Sequence, residues 1–169
     1  AATVAALKDV KATDAITFKT TDTGLANASE INALLAIKKL IPNADFSKIV
    51  TIAADAKDVA LVKSVLKDVA PNVAVTITGD ISAADANAIA KATKGVVTAT
   101  INDGSVAATL KALADVDTND VLTFKSTDTT VKATDLVALG QKLGTGGTYT
   151  SIKTITADAK DVSYVSAAL

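Results

Sequence analysis

The chain has 169 residues with a formal net charge of −1, and it contains no Cys, Met, Trp, His or Arg. The absence of Cys and His excludes disulfides, thiolate metal sites and nucleophile–imidazole pairs. The near-neutral charge without Arg gives no general attraction to nucleic acid. Hydrophobic residues make up 49% but aromatic residues only 3%, so the core must consist of small aliphatic side chains. No apolar run is long enough to span a bilayer.

A short motif, Thr followed by Ile or Phe, recurs along the chain at steps of 23 to 34 residues. Each copy lies in an alternating run that predicts a strand, and each is followed by an Asp and a helical pattern. The copies are Thr17-Phe18, Thr51-Ile52, Thr76-Ile77, Thr100-Ile101, Thr123-Phe124 and Thr154-Ile155. The sequence therefore predicts about six strand–helix units. In the clearest of them Gly79-Asp80 is predicted to end the strand, and Ser82 to open the helix.

Apolar residues at spacings of three and four predict one buried face for each helix. In chain order the stripes are Val4/Leu7, Ile31/Leu34/Leu35/Leu40, Val59/Val62/Leu66/Val69, Ala86/Ile89/Ala90/Thr93, Val106/Leu110/Leu113, Leu136/Leu139/Leu143 and Val162/Val165/Leu169.

Helix ends are marked by capping residues and breakers. The pairs Asn27 with Glu30, Ser82 with Asp85, and Asp55 with Asp58 have the spacing of reciprocal N-terminal caps. Pro42 and Pro71 are predicted to follow helix ends, and Gly140, Gly144, Gly146 and Gly147 are predicted to mark the end of the fifth helix and a longer loop. The glycine-rich stretch lacks the Lys and hydroxyl residue of a phosphate loop, so it is interpreted as a connection.

A longer period is superimposed on the short units. ITFKTTDT at Ile16–Thr23 returns as LTFKSTDT at Leu122–Thr129, which is an offset of 106 residues. ADAKDV at Ala54–Val59 returns at Ala157–Val162, an offset of 103 residues. Four short units therefore form one larger repeat.

The first ten residues, Ala1–Val10, match Ala107–Val116, again at an offset of 106. We therefore expect the sequence to begin inside one helix, to stop inside another, and to be a fragment of a longer repeat protein. On this interpretation residues 1–169 form a single repeat domain.

The strands have one apolar and one polar face, as in Val73, Val75 and Ile77 against Thr76 and Thr78. A sheet covered on both faces should be apolar throughout. The pattern predicts an α/β fold, a right-handed β-α solenoid similar in geometry to leucine-rich repeats, with a single parallel sheet and helices on one face. The alternative is a doubly wound, flavodoxin-like sheet, which needs helices on both faces.

One Asp per unit follows each strand, and the series is the first candidate site. Its members are Asp22, Asp55, Asp80, Asp103, Asp128 and Asp158. Helix capping explains each Asp alone. The alternative is calcium, with Asp80, Asp103 and Asp128 as the metal ligands, because calcium takes six to eight oxygen ligands. Calcium is the only cofactor that the sequence suggests.

The Thr series is the second candidate site. Thr17, Thr51, Thr76, Thr100, Thr123 and Thr154 are predicted to form a ladder on the open face of the sheet. A β-branched residue that tolerates water suits that position structurally. The functional alternative is a regular hydroxyl array of the kind that ice-binding solenoids carry.

Enzymatic chemistry has little support in this composition. The pairs Ser64/Lys67 and Ser126/Lys125 are candidate nucleophile–base pairs, and both lie at positions predicted to be solvated. We therefore predict that the chain is not an enzyme.

Two stretches, ISAADANAIAKATKGVVTATI and VVTATINDGSVAATLKAL, resemble tandem segments of very large repetitive surface and secreted proteins of bacteria, including cyanobacteria. The resemblance implies an extracellular or cell-surface location and a structural or adhesive role, often in a calcium-containing setting. The expected partners are neighbouring repeats of the same chain, further copies in homo-association, or cell-surface components, with neither nucleic acid nor a membrane span.

Overall fold

A computed structural model of the chain describes residues 5–7, 9–11, 14–161 and 163–164. The predicted stripe positions Val4, Val162, Val165 and Leu169 lie outside these residues. The described part is an α/β protein in which helices alternate with parallel strands, as the sequence predicts. Its contacts divide it into two compact units, one reaching to Thr78 with Ala92–Val96, and the other holding Gly79–Lys91 with the chain from Val97 onward.

The first unit is built around a central strand that is paired in parallel on both sides. Its elements are β1 (Gly24–Leu25), α1 (Ala28–Leu40), β2 (Thr51–Asp55), α2 (Val59–Val65) and the start of β3 (Ala74–Ile81). Strand β2 lies between β1 and β3. The buried side chains are mostly aliphatic, with Ile31, Ile52 and Val75 among the least exposed.

Strand β3 continues through Gly79, where the sequence predicts a break. Gly79 has a φ of 89°, in a region open to glycine but disfavoured for other residues. The glycine lets the backbone bend while the strand continues to Ile81.

The second unit holds the remaining elements. They are α3 (Ala83–Ala92), β4 (Val97–Gly104), α4 (Val106–Ala112), β5 (Val121–Ser126), β6 (Thr130–Lys132), α5 (Ala133–Leu143), β7 (Gly147–Thr148) and β8 (Thr154–Thr156). Strand β5 lies between β4 and β7, whereas β6 pairs with β8 in a separate small sheet, so the prediction of a single sheet is wrong for these two strands. These pairings are all parallel. Helix α5 continues past Gly140, one of the glycines predicted to mark its end, and stops at Leu143. Gly144 follows as its C-terminal cap, as predicted, with a φ of 55°.

Side-chain burial alternates along the longer strands. In β5, Leu122 and Phe124 are buried while Thr123 and Lys125 are exposed. Strand β2 shows the same alternation over five residues. Each of these strands therefore has one covered apolar face and one exposed face, as their period-two patterns predict.

The longer sequence period is reproduced in the strand register. Adding 106 to the residue numbers of β1 and 103 to those of β2 gives the paired residues of β6 and β8. The pairs are Gly24–Thr51 and Leu25–Ile52 in the first unit, and Thr130–Thr154 and Val131–Ile155 in the second.

The backbone hydrogen bonds beside these pairs correspond as well. The Thr23 carbonyl accepts from the N–H groups of Val50 and Thr51, at 2.8 and 3.3 Å. The Thr129 carbonyl accepts from those of Lys153 and Thr154, at 2.9 and 3.1 Å. Two segments that share a sequence pattern therefore share a register, which local propensity alone does not determine.

Candidate functional surface

Five members of the predicted threonine ladder lie on exposed strand positions: Thr51 in β2, Thr76 in β3, Thr100 in β4, Thr123 in β5 and Thr154 in β8. Thr17 is exposed but lies outside the strands. Thr154 belongs to β8, where it is paired with Thr130.

The register decides which of these threonines face each other. In the first unit Thr51 is opposite Ala74, and Thr76 is opposite Ala53, so the two threonines are diagonal neighbours. In the second unit Thr100 and Thr123 are directly opposite, and the Thr123 hydroxyl donates to Thr100 Oγ1 at 3.0 Å.

Charged residues interrupt the threonine-bearing face in the second unit. Lys125 Nζ lies 3.4 Å from a carboxylate oxygen of Asp103, and both side chains are more than half exposed. The face therefore mixes hydroxyl, ammonium and carboxylate groups. Such a surface can make hydrogen bonds and weak ion pairs with a partner in water.

The three predicted calcium ligands have different surroundings. Asp80 is exposed near the end of β3, and Asp103 pairs with Lys125. Asp128 Oδ2 accepts from the N–H of Val106, the first residue of α4, at 2.7 Å. Among the described residues, no group of three or more acidic side chains is placed to hold a metal ion.

Helix capping is performed mainly by residues other than the Asp series. Asn27 Oδ1 accepts from Glu30 N at 3.1 Å, and Ser82 Oγ accepts from Asp85 N at 3.0 Å. Both pairs are reciprocal, because Glu30 Oε1 accepts from Asn27 Nδ2 at 3.3 Å and Asp85 Oδ2 accepts from the Ser82 hydroxyl at 2.8 Å. These two predicted caps are confirmed.

The third predicted cap is wrong. Asp55 precedes a 3-10 turn, Ala56–Asp58, without a side-chain bond to it, and its carboxylate instead lies 2.8 Å from Lys57 Nζ. That hydrogen bond raises the pKa of Lys57, with the charges of Asp55 and Asp58 adding to it. The short side chain of Ser105, rather than Asp103, caps α4 by accepting from Ala108 N at 3.3 Å.

Two carboxylates make contacts that the sequence analysis missed, since they act on the neighbouring segment rather than on their own helix. Asp120 Oδ1 accepts from Val97 N, at the start of β4, at 2.8 Å. Asp128 accepts from Val106 N, just beyond the end of β4. The two therefore hold both ends of β4 against β5. The sequence marks the two positions, because Asp14 and Asp22 lie 106 residues earlier, but it does not identify the partners Val97 and Val106.

The candidate serine nucleophiles hold backbone groups. Ser64 Oγ donates to the Leu61 carbonyl at 2.7 Å. Ser126 is fully buried, and its Oγ accepts from Asp128 N at 3.1 Å. Neither serine hydroxyl is presented to a lysine amine in a cleft.

Within the described part of the chain, no helix has the length and apolar character needed to cross a membrane. Comparison with protein-family models, with curated proteins and with solved structures gives no match to this chain.

Proposed function

We propose that the chain is a structural repeat segment of a bacterial cell-surface or secreted protein. Its role is to extend that protein and to present a surface for adhesion or self-assembly. The observation that carries the proposal is the recurrence of one register, Gly24 with Thr51 and Thr130 with Thr154, at the period of the sequence. A chain that rebuilds the same pairing with each period can be lengthened by adding periods.

The architecture we propose is a right-handed β-α solenoid with helices on one face of a parallel sheet. The exposed faces of β2 and β5 support it, because Thr51 and Thr123 alternate with the buried Ile52 and Leu122. A doubly wound sheet would cover those threonines with helices and would favour apolar residues there.

The exposed face is the surface we assign to partner contact. It carries threonine hydroxyls, and in the second unit the exposed Val121 and the Lys125–Asp103 ion pair. Hydroxyl groups beside isolated apolar side chains suit broad, weak contacts that gain strength when many repeats act together. The partners would be neighbouring repeats, further copies of the chain or other cell-surface components.

Insertion of one additional period tests the proposal. A second copy of residues 16–121 placed after Val121 preserves the alignment, because Val121 corresponds to Ala15 and Leu122 to Ile16. A solenoid accepts four further strands and lengthens by about 20 Å, at roughly 4.8 Å per strand. Small-angle X-ray scattering measures that increase, and circular dichroism measures the melting temperature.

The expected result is a soluble protein that is longer by that amount and melts at or above the temperature of the original chain. In a doubly wound sheet the strand order reverses at a switch point, so four further strands inserted in sequence would not extend the sheet in one direction. Loss of the cooperative transition, or an unchanged maximum dimension, would therefore contradict the solenoid and the extending role together. A matched insertion of the same 106 residues in scrambled order controls for added length alone.

A further inference from the structure

Strand β5 is flanked by two carboxylates that hold its neighbour in place. Asp120 receives the N–H of Val97 at 2.8 Å, and Asp128 receives that of Val106 at 2.7 Å. Thr127 N donates to the Gly104 carbonyl at 2.9 Å. The segment from Val97 to Val106 is therefore held at both ends, and it pairs with β5 at Thr98–Ile101 and again at Gly104.

The first unit has Asp residues at the two equivalent positions 106 residues earlier, where Asp14 and Asp22 correspond to Asp120 and Asp128. Asp14 Oδ2 accepts from Lys11 N at 2.9 Å, as Asp120 accepts from Asp117 N at 3.2 Å.

The turns that contain Asp22 and Asp128 also have the same hydrogen bond in both units. Asp22 N donates to Thr20 Oγ1 at 3.0 Å, as Asp128 N donates to the Ser126 hydroxyl at 3.1 Å. Thr20 and Ser126 are both buried. The local structure that orients each carboxylate is therefore already formed in the first unit.

The neighbour is what differs between the two units. Ile16 is 38% exposed, whereas its counterpart Leu122 is 1% exposed. Asp14 and Asp22 are exposed, and within the described residues neither carboxylate receives an N–H from a neighbouring strand or helix start, as Asp120 does from Val97 and Asp128 does from Val106. Residues 15–18 lie in no strand, although the equivalent residues form β5.

A cleft of about 310 Å³ lies beside these residues in the first unit. Apolar and polar side chains both line it, among them Phe18, Thr20, Asp22, Leu25 and Leu34. In the second unit the counterpart of Phe18 is Phe124, which is 2% exposed and lies close to Gly104 of β4. The cleft therefore lies where β4 ends in the second unit.

We propose that residues 14–22 form an acceptor edge for one parallel strand that ends in a helix start, with the chemistry of Val97–Val106, supplied by another repeat. The inference rests on the proposed function, since it names the partner through which repeats join. The strand would pair with Ile16–Thr20 and give its first N–H to Asp14. The N–H that begins its helix would go to Asp22.

A peptide binding experiment with the full chain tests the acceptor edge. The probe is a fluorescein-labelled peptide of residues 97–108, VTATINDGSVAA, joined through an N-terminal amide and amidated at its C-terminus, so that the N–H of Val97 is retained. Fluorescence anisotropy measures affinity, and hydrogen exchange locates the site. We expect saturable binding that protects backbone amides within residues 15–22.

Asp14→Ala and Asp22→Ala are each expected to weaken binding by about tenfold, because each removes a hydrogen bond to a charged acceptor. The control Asp80→Ala, at an exposed Asp outside the edge, should bind as the original chain does. Circular dichroism verifies that each variant is folded, and a scrambled peptide should not bind.

Absence of saturable binding to the unaltered chain would overturn the acceptor edge. So would protection at a different edge, or unchanged affinity in both folded Asp variants. If the peptide fails while the inserted period still lengthens the protein, only this inference falls. If the peptide binds as expected but the inserted period does not fold, the acceptor edge stands and the extending role falls.

Discussion

The phenol of Tyr149 fills the space that a Cβ atom on Gly147 would occupy. Its hydroxyl is buried and has no hydrogen-bond partner among the residues that the structure describes. At the equivalent positions 103 residues earlier the chain has Ala44 and Phe46, both buried. In the second period the larger ring of Tyr149 is therefore accompanied by Gly147, whereas in the first period the smaller ring of Phe46 is accompanied by Ala44.

Gly147→Ala is expected to destabilise the protein by about 1–3 kcal/mol through overpacking. Tyr149→Phe is expected to stabilise it by about 1 kcal/mol, because an unpaired buried hydroxyl is lost. The double variant recreates the pair found at Ala44 and Phe46, so its cost should be smaller than the sum of the single effects by about 1 kcal/mol. Urea unfolding measures all three. Strict additivity would show that the two positions do not interact.

Stability should also fall at high pH because of Tyr149. Burial raises the pKa of its phenol above the ordinary value of 10.0. Between the unfolded and folded pKa values the folded state keeps a proton that the unfolded state has lost. The free energy of unfolding therefore decreases as pH rises above 10, by at most about 1.4 kcal/mol per pH unit for this group. Tyr149→Phe should remove that part of the slope and Tyr164→Phe should leave it; equal slopes in Tyr149→Phe and the original chain would contradict the assignment.

The hydrogen bond from Val106 N to the Asp128 carboxylate can be tested by comparing Asp128 with its counterpart Asp22. Asp128→Ala leaves the N–H of Val106 without its partner and is expected to cost about 1–3 kcal/mol. Asp22→Ala, in the same sequence context but without that donor among the described residues, should change stability by no more than about 0.5 kcal/mol. Thermal and urea unfolding of the two variants should differ accordingly. Equal losses would mean that Asp128 acts through its own turn and not through α4.

The caps provide a second comparison. Asn27→Ala and Ser82→Ala are each expected to lower stability by about 1 kcal/mol, because each removes an acceptor from a helix N-terminus. Asp55→Ala should cost less than either, since Asp55 makes only an exposed ion pair with Lys57. Urea unfolding measures the three variants. If Asp55→Ala lowers the free energy of unfolding as much as Asn27→Ala does, Asp55 acts as a helix cap after all.

Calcium is expected to leave the melting temperature unchanged. Asp128 is engaged with Val106 N and Asp103 with Lys125, so neither presents a shared site with Asp80. Melting in millimolar calcium chloride and in excess chelator should agree within about 1 °C. A shift of several degrees would show binding to the folded state and would favour the ligand role of the Asp series.

Much of the fold could be predicted from the residues alone. The alternation of Leu122 and Phe124 with Thr123 and Lys125 predicted which face of the strand is buried. The Asn27 cap followed from local spacing, because its bond partner is three residues away. The alignment of the two periods also predicted which stretches share a local structure.

The roles of Asp120 and Asp128 could not be predicted in this way. Their partners, Val97 and Val106, lie 23 and 22 residues away. The alternation of each strand does not state how far one strand is shifted against the next. That shift decides whether Thr51 meets Ala74 or Thr76, and whether a carboxylate meets its own helix or the preceding one.

The two copies of one octapeptide pattern distinguish what the local sequence determines from what the tertiary structure determines. ITFKTTDT and LTFKSTDT both determine a polar-apolar alternation and the turn in which Asp22 N or Asp128 N bonds the hydroxyl two residues earlier. Within the described residues the first copy pairs at Lys19 with Asp45, whereas the second copy lies between β4 and β7 and belongs to the six-residue strand β5. Sequence determined the faces and the turns, since these depend on side chains within a few residues. Tertiary structure decided strand formation and burial, since both require partners from elsewhere in the chain.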